Sequence, residues 1–389
     1  RYLLRWQLHK IGSVLIKSLP ISFFRLWAHV LLVPMMTCCR LVWLGVLSVV
    51  LAACQGSSVT TPAAQVQRLT VPAPEAWGGE ARCGVAGCRV ALVEHETGFA
   101  VAHQFEERSL REVGRHKVAY HPDSAAWLAD DLFAAAVEGS GGLDIFRLSG
   151  LGLTRVQQIN VGFAPRDLLV LSADQGRYRV LVTPYSGHQA AWVEWVEGGG
   201  QPAQVQPLDL CRSPWHPTHV ARAPGAPVAG VAVGCLDDRR VIWVSLAEQS
   251  AQPRVLASFN AVPRQVSPSP SGQWLYVSLE TGGRNARIHM DTGELQYVKS
   301  PLTGSVAVAP VSDDLVMWGD SERIYLQRLD AQANVIATRW LTTSGFSTKL
   351  QLIDLDGDGE RDVIVLNSAG PTFDVIYGPL WDQASERQP

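Results

Sequence analysis

The 389-residue chain carries no GxSxG run, so it lacks the strand-to-helix elbow that presents a nucleophilic serine. Phosphate-cradling glycine loops are missing as well. Gly139-Ser-Gly-Gly142 is followed by no Lys-Ser/Thr pair and reads as a hairpin turn. Among the seven cysteines there is no CxxC spacing for a zinc knuckle and no CxxCH for covalent haem. Helical periodicity is scarce: after residue 65 short β-rich runs alternate with Gly, Pro, Asp and Ser clusters. No apolar run reaches the roughly 20 residues that a membrane-spanning helix needs.

What is present near the N-terminus is a shorter apolar run, residues 41–50 (LVWLGVLSVV), preceded by Arg40 and closed by Leu51-Ala52-Ala53-Cys54. This resembles the bacterial lipoprotein signal, in which a small-residue site precedes a cysteine that receives the lipid. The resemblance implies a signal peptide over 35–53, cleavage before Cys54 and acylation of Cys54. Gln55 is not the Asp that retains such proteins at the inner membrane of enteric bacteria, so an outer-membrane lipoprotein, periplasmic or surface-facing, is expected. The competing reading is a short transmembrane anchor. Residues 1–34 contain five basic residues and no acid; they are either a long n-region or lie upstream of a start at Met35 or Met36, with a basic membrane-surface segment as a further alternative.

Residues 54–65 (Ser/Thr/Pro/Ala-rich) read as a flexible tether. Without the first 53 residues, 336 remain, with 27 basic and 36 acidic side chains and a net charge of −9. An anionic body argues against nucleic acid, whose binding needs Lys and Arg to neutralise phosphates. Four cysteines remain after Cys38, Cys39 and Cys54 are set aside. An even number in an oxidising compartment points to two disulfides, Cys83 with Cys88 and Cys211 with Cys235.

The rest of the chain repeats. Apolar strands recur at 89–95, 132–139, 178–184, 228–234, 274–280, 314–320 and 362–368, their starts 40 to 50 residues apart. Each is followed, after a turn rich in Gly, Asp or Ser, by a second strand. Seven units of about 45 residues, each with room for four strands, predict an all-β fold: a single seven-bladed β-propeller over 66–380. The chain after Tyr377 is too short and too polar for a fourth strand, and 381–389 read as a polar tail. VQRLTV at 66–71 is therefore expected to complete the last blade as its outer strand, covering an open edge.

Two repeats resemble named families. Residues 352–379 (LIDLDGDGERDVIVLN, then FDVIYGP) resemble an FG-GAP or VCBS-type repeat over about 28 residues, in which a calcium loop joins a blade's first two strands. The resemblance implies calcium held by the carboxylates of Asp354, Asp356, Asp358 and Asp362 and by the backbone carbonyl of Glu360. The residues agree: hard cations take six to eight oxygens, and four close carboxylates repel without a cation. An EF-hand is excluded because its twelfth position holds Val365, and an ion-free Asp/Gly hairpin is the bland alternative. With one such loop in seven blades, a structural clasp is expected rather than a sensor. Ser269-Pro-Ser-Gly-Gln-Trp-Leu-Tyr-Val-Ser278 resembles the repeat of YVTN and Tol-type propellers, with Ser271 in place of the usual Asp.

Usual propeller connectivity puts inter-blade loops and second-to-third-strand loops on one face. That face would gather Arg166, Tyr185, His188, Arg212, Trp215, His216, His219, Asp237 and Asp238, a set suited to an anionic or polymeric ligand. The alternative is solvated loops around a packed Trp. His216 and His219 make a weak metal pair, because residues three apart on a strand point to opposite faces. The Trp residues at 127, 192, 195, 243, 274 and 318 are expected to pack between blades. The functional expectation is a lipid-anchored, non-enzymatic propeller binding or scaffolding a protein or glycan in the cell envelope. A lactonase-like or glycan-cleaving propeller hydrolase and a purely structural lipoprotein are the alternatives.

Overall fold

A computed structural model describes residues 67–221, 228–246, 252–320 and 323–386. The expected signal segment, Cys54, the tether and Val66 lie outside the described residues. Within them, 28 strands form seven four-stranded antiparallel sheets. Strand β1 is Arg68–Pro72; β2–β5 span 76–117, β6–β9 122–160, β10–β13 165–209, β14–β17 214–258, β18–β21 263–299, β22–β25 307–342 and β26–β28 347–376. Six sheets take their four strands in sequence order. The seventh runs β26-β27-β28-β1, so its outer strand comes from the other end of the chain. The first strands of successive sheets touch one another around a closed circle, β26 meeting β2. The molecule is a seven-bladed β-propeller closed by its N-terminal strand, with Arg68 paired to Ile376 and Pro72 to Thr372.

Each blade is apolar on both faces near the axis and wets outward. The second strand β7 (Leu132–Val137, LFAAAV) is buried throughout, whereas the outer strand β5 (Ser109–Lys117) has no buried residue. The buried apolar residues of the described chain accordingly fall into seven clusters, one at each junction between neighbouring blades. Trp318 and Phe133 are fully buried in two of them, each such side chain contributing about 1.5–3 kcal/mol. Blades approach so closely at the axis that a Cβ on Gly78 of β2 would lie 2.2 Å from the Asp123 carbonyl of the next blade.

Both disulfides form. Cys83 and Cys88 face each other across the β2–β3 hairpin, and Cys211–Cys235 ties the loop before β14 to the end of β15 (Val228–Cys235). The stretch read as a polar tail is packed as far as Ala384. Residues Leu380–Gln383 make a helical turn, Leu380 is buried, and Ser385 bridges to Trp340 of the neighbouring blade. Gln383 closes the ends by accepting the Gln67 N–H at 2.7 Å and donating to the Tyr377 carbonyl at 2.7 Å.

In six blades the first strand carries a bulge near its start, at 76/78, 122/124, 165/167, 215/218, 263/266 and 347/349. A bulge leaves a residue outside the ladder and re-aims its side chain. The residues so released include Trp77, Asp123, Arg166, His216 and Arg264. They are the material of the site.

Candidate functional site at the channel mouth

Four first strands open with proline followed by a residue at one end of the axial channel: Pro122-Asp123, Pro165-Arg166, Pro214-Trp215 and Pro263-Arg264. Arg166 lies with its guanidinium carbon 4.0 Å from the centre of the Trp215 ring and 4.7 Å from that of Tyr185. Arg264 lies 4.7 Å from the same Trp215 ring, and its Nε donates to Glu280 at 2.5 Å. Trp215 is buried and thus serves as a platform that fixes two cations. The two arginines differ in one respect. Arg264 has its carboxylate, while Arg166 makes no hydrogen bond or ion pair with any described residue and its Nε is buried without a partner. Burial pulls the Arg166 guanidinium below its usual value, with Asp123 opposing.

The sequence placed Arg166, Tyr185 and Trp215 together, and they are together. His188 is solvated beside Asp209 at 3.9 Å, and Arg212 is held on the outer rim by Asp238, whose carboxylate also receives Arg240. Asp237 accepts from Ser213 at 2.6 Å. None of these reaches the Arg166 cluster. Arg264, Asp123 and Trp77 were missed because the repeat was registered on second and third strands. The signal that marks two of them is the Pro-x opening of the first strand.

Below the mouth, a cavity of about 320 Å³ is lined by first-strand residues of all seven blades, among them Glu80, Asp167, His216, His219, Gln265 and Lys349. Both histidines line it. The bulge between Trp215 and Thr218 breaks the strand alternation that would have sent them to opposite faces. They do not form a metal pair among the described residues: His219 Nε2 donates to the Val170 carbonyl at 2.8 Å, and His216 Nδ1 lies 3.0 Å from Asp167. His216 Nδ1 faces that carboxylate without a well-aligned hydrogen bond. Burial pushes the His216 imidazole below its usual value against the pull of Asp167, and the same burial would raise Asp167, but the adjoining His216 and the Lys349 charge hold it down to about 2. Burial raises Glu80, opposed by the Trp127 N–H and Lys349. His216 Nε2 is itself enclosed and without a partner.

The Asp loop lies at the opposite end of the ring, between β26 (Ser347–Ile353) and β27 (Asp362–Asn367). Gly357 and Gly359 adopt φ of 77° and 86°, the left-handed region that glycine enters at no steric cost. They turn the loop so that Asp354, Asp356 and Asp358 bring carboxylate oxygens within 4.8 Å of one another. Asp362 does not join them. It is fully buried, and its two oxygens accept the backbone N–H groups of Leu355 (2.8 Å) and Gly378 (2.9 Å), so its role is to hold the loop's base. A cation already faces two of the three remaining carboxylates. Arg108, from the first blade, reaches Asp356 at 2.6 Å and Asp358 at 3.6 Å while lying over the Tyr377 ring. The loop thus brings three of its carboxylates, Asp354, Asp356 and Asp358, into one cluster.

Neither a protein-family model nor a curated protein matches the sequence. Solved structures share the fold. A putative 6-phosphogluconolactonase from Bacteroides fragilis is 14% identical, with a TM-score of 0.56 over 70% of this chain and 86% of its own. The β-propeller domain of Cps50 (Swd1) from Myceliophthora thermophila is 10% identical (TM-score 0.57, 80% and 98% covered). U3-55K is 11% identical (TM-score 0.59, 79% and 98%). At these identities the likeness is one of architecture, so fold and site define a β-propeller with a cationic, aromatic mouth.

Proposed function

We propose that this propeller is a binding or scaffold protein of the cell envelope, anchored by lipid on Cys54, which takes an anionic group of a protein or glycan partner at the Arg166 mouth. The observation that carries this is the unpartnered Arg166 guanidinium, pinned by Trp215 and Tyr185. Holding an arginine in a partly desolvated site without an anion is costly, and a preset planar fork suits a carboxylate or phosphate. The hydrolase alternative has the Asp167–His216 pair in its favour. The His216 Nε2 is closed off from solvent, however, and the chain lacks a nucleophile elbow, so binding is retained. The test uses acylated protein captured from envelope extract. The N-terminal peptide should carry lipid on Cys54, and the captured partner should be lost with Arg166→Ala and weakened at high salt. Capture that ignores both the substitution and salt would reject the reading, and an unmodified N-terminus elsewhere would reject the anchor.

Calcium at the Asp loop belongs to the same proposal as a clasp rather than a sensor, with Asp354, Asp356 and Asp358 as its carboxylates and Arg108 displaced outward. EDTA is expected to lower the melting temperature of the wild type measured in calcium, and Asp356→Ala to remove that sensitivity. Equal melting with and without EDTA would leave Arg108 as the loop's resident cation.

A further inference from the structure

We infer a transition-metal site of zinc type at the mouth, held by His95, His121 and Glu96, a site distinct from the arginine cluster and independent of the partner proposed for it. The three residues offer ligand atoms that lie within 4.8 Å of one another. His95 and Glu96 follow the second strand of the first blade, and His121 precedes the first strand of the second blade, so the site straddles a blade junction on the Arg166 face.

One imidazole is already oriented by a carboxylate, and the other stands against a second carboxylate. His95 Nδ1 lies 3.1 Å from Asp123, which is 5% exposed, and His121 Nδ1 lies 3.3 Å from Glu138. Because a carboxylate only accepts, His121 Nδ1 is the donor to Glu138 and His121 Nε2 keeps its lone pair. A carboxylate behind a ligating histidine fixes the tautomer and raises the basicity of the nitrogen that faces the metal. Two imidazoles and one carboxylate are the donor set of zinc and its neighbours rather than of calcium, and three protein ligands leave a position open.

The rings set the mechanics of loading. Trp77, His95 and His121 form a pile with centroids 4.5 Å apart, the two imidazoles inclined by 14°. An ion lies in the plane of each ring that binds it, so near-parallel rings must part. His95 is buried under Trp77, whereas the His121 side chain is 38% exposed on a loop, so His121 is the ring that swings.

The test is zinc titration of the full chain by calorimetry, with cobalt(II) absorption reporting the ligand field. Wild-type protein should bind one zinc at this site. His121→Ala, an exposed change, should reduce affinity by at least about 100-fold, and Asp123→Asn by about 10- to 100-fold. Asp356→Ala, at the other end of the ring, should leave zinc binding unchanged, and circular dichroism would check that each variant is folded. No zinc uptake by the wild type, equal affinity in folded His121→Ala or Asp123→Asn, or loss of binding in Asp356→Ala would each overturn the site.

Discussion

Replacing Asp374 by Ala is expected to cost about 2–3 kcal/mol of unfolding free energy, the range for losing hydrogen bonds to a buried charged acceptor. Asp374 lies on β28 (Thr372–Ile376), fully buried between the two chain ends. One carboxylate oxygen accepts from the Thr70 hydroxyl at 2.9 Å; the other accepts from the Ser344 N–H and hydroxyl at 2.7 and 2.8 Å. Arg68 stands 3.9 Å away. The substitution strands these donors at the one sheet whose strands come from both termini. Thr70→Ala, which removes a single neutral donor, should cost only about 1 kcal/mol. Urea unfolding of both variants checks the pair, and a loss below 1 kcal/mol for Asp374→Ala would show that the network does not latch the ring.

Acidification should weaken the same seam through His103. This residue of β4 (Phe99–Glu106) is 2% exposed and packs edge-on against Phe373 of the last blade. Burial lowers its pKa to about 4, with Glu112 and Glu94 opposing and Arg115 assisting. The sign follows from proton counting. Between pH 6.5 and 4 the unfolded chain protonates His103 and the folded chain refuses it, so unfolding takes up a proton and stability falls as pH falls. A shift from 6.5 to about 4 corresponds to about 3 kcal/mol, fully present above pH 6.5 and lost by pH 4. His103→Leu should flatten this limb, read as the difference between wild-type and variant urea midpoints at pH 7 and pH 4.5. Parallel midpoints at the two pH values would refute the assignment.

The ring was legible because second and third strands are buried on both faces and read as apolar runs cut by turn residues. The closing strand was legible for a different reason: the last repeat lacks a fourth strand, and VQRLTV has no blade of its own. The first strands were not. Their bulges break the two-residue period on which face assignments rest, so His216 and His219 share a channel that alternation would deny them. Two of the missed side chains, Asp123 and Arg264, are polar groups next to prolines and carry no hydrophobic signal. Asp362 misled for another reason. Spacing does not show that the Asp362 carboxylate turns to the Leu355 and Gly378 N–H groups at the base of the loop, away from the three-carboxylate cluster.

The entry point of β1 gives the ring a direction. Gln67 meets the chain at the end where Arg108 and the Asp loop stand, since the Arg108 guanidinium hydrogen-bonds the Gln67 side chain. Arg166, Trp215 and the His95–His121 pile lie at the other end of the axis. Under the proposed lipidation of Cys54, the chain would therefore join the propeller at its acidic end. The cationic mouth opens at the end of the axis opposite that entry point.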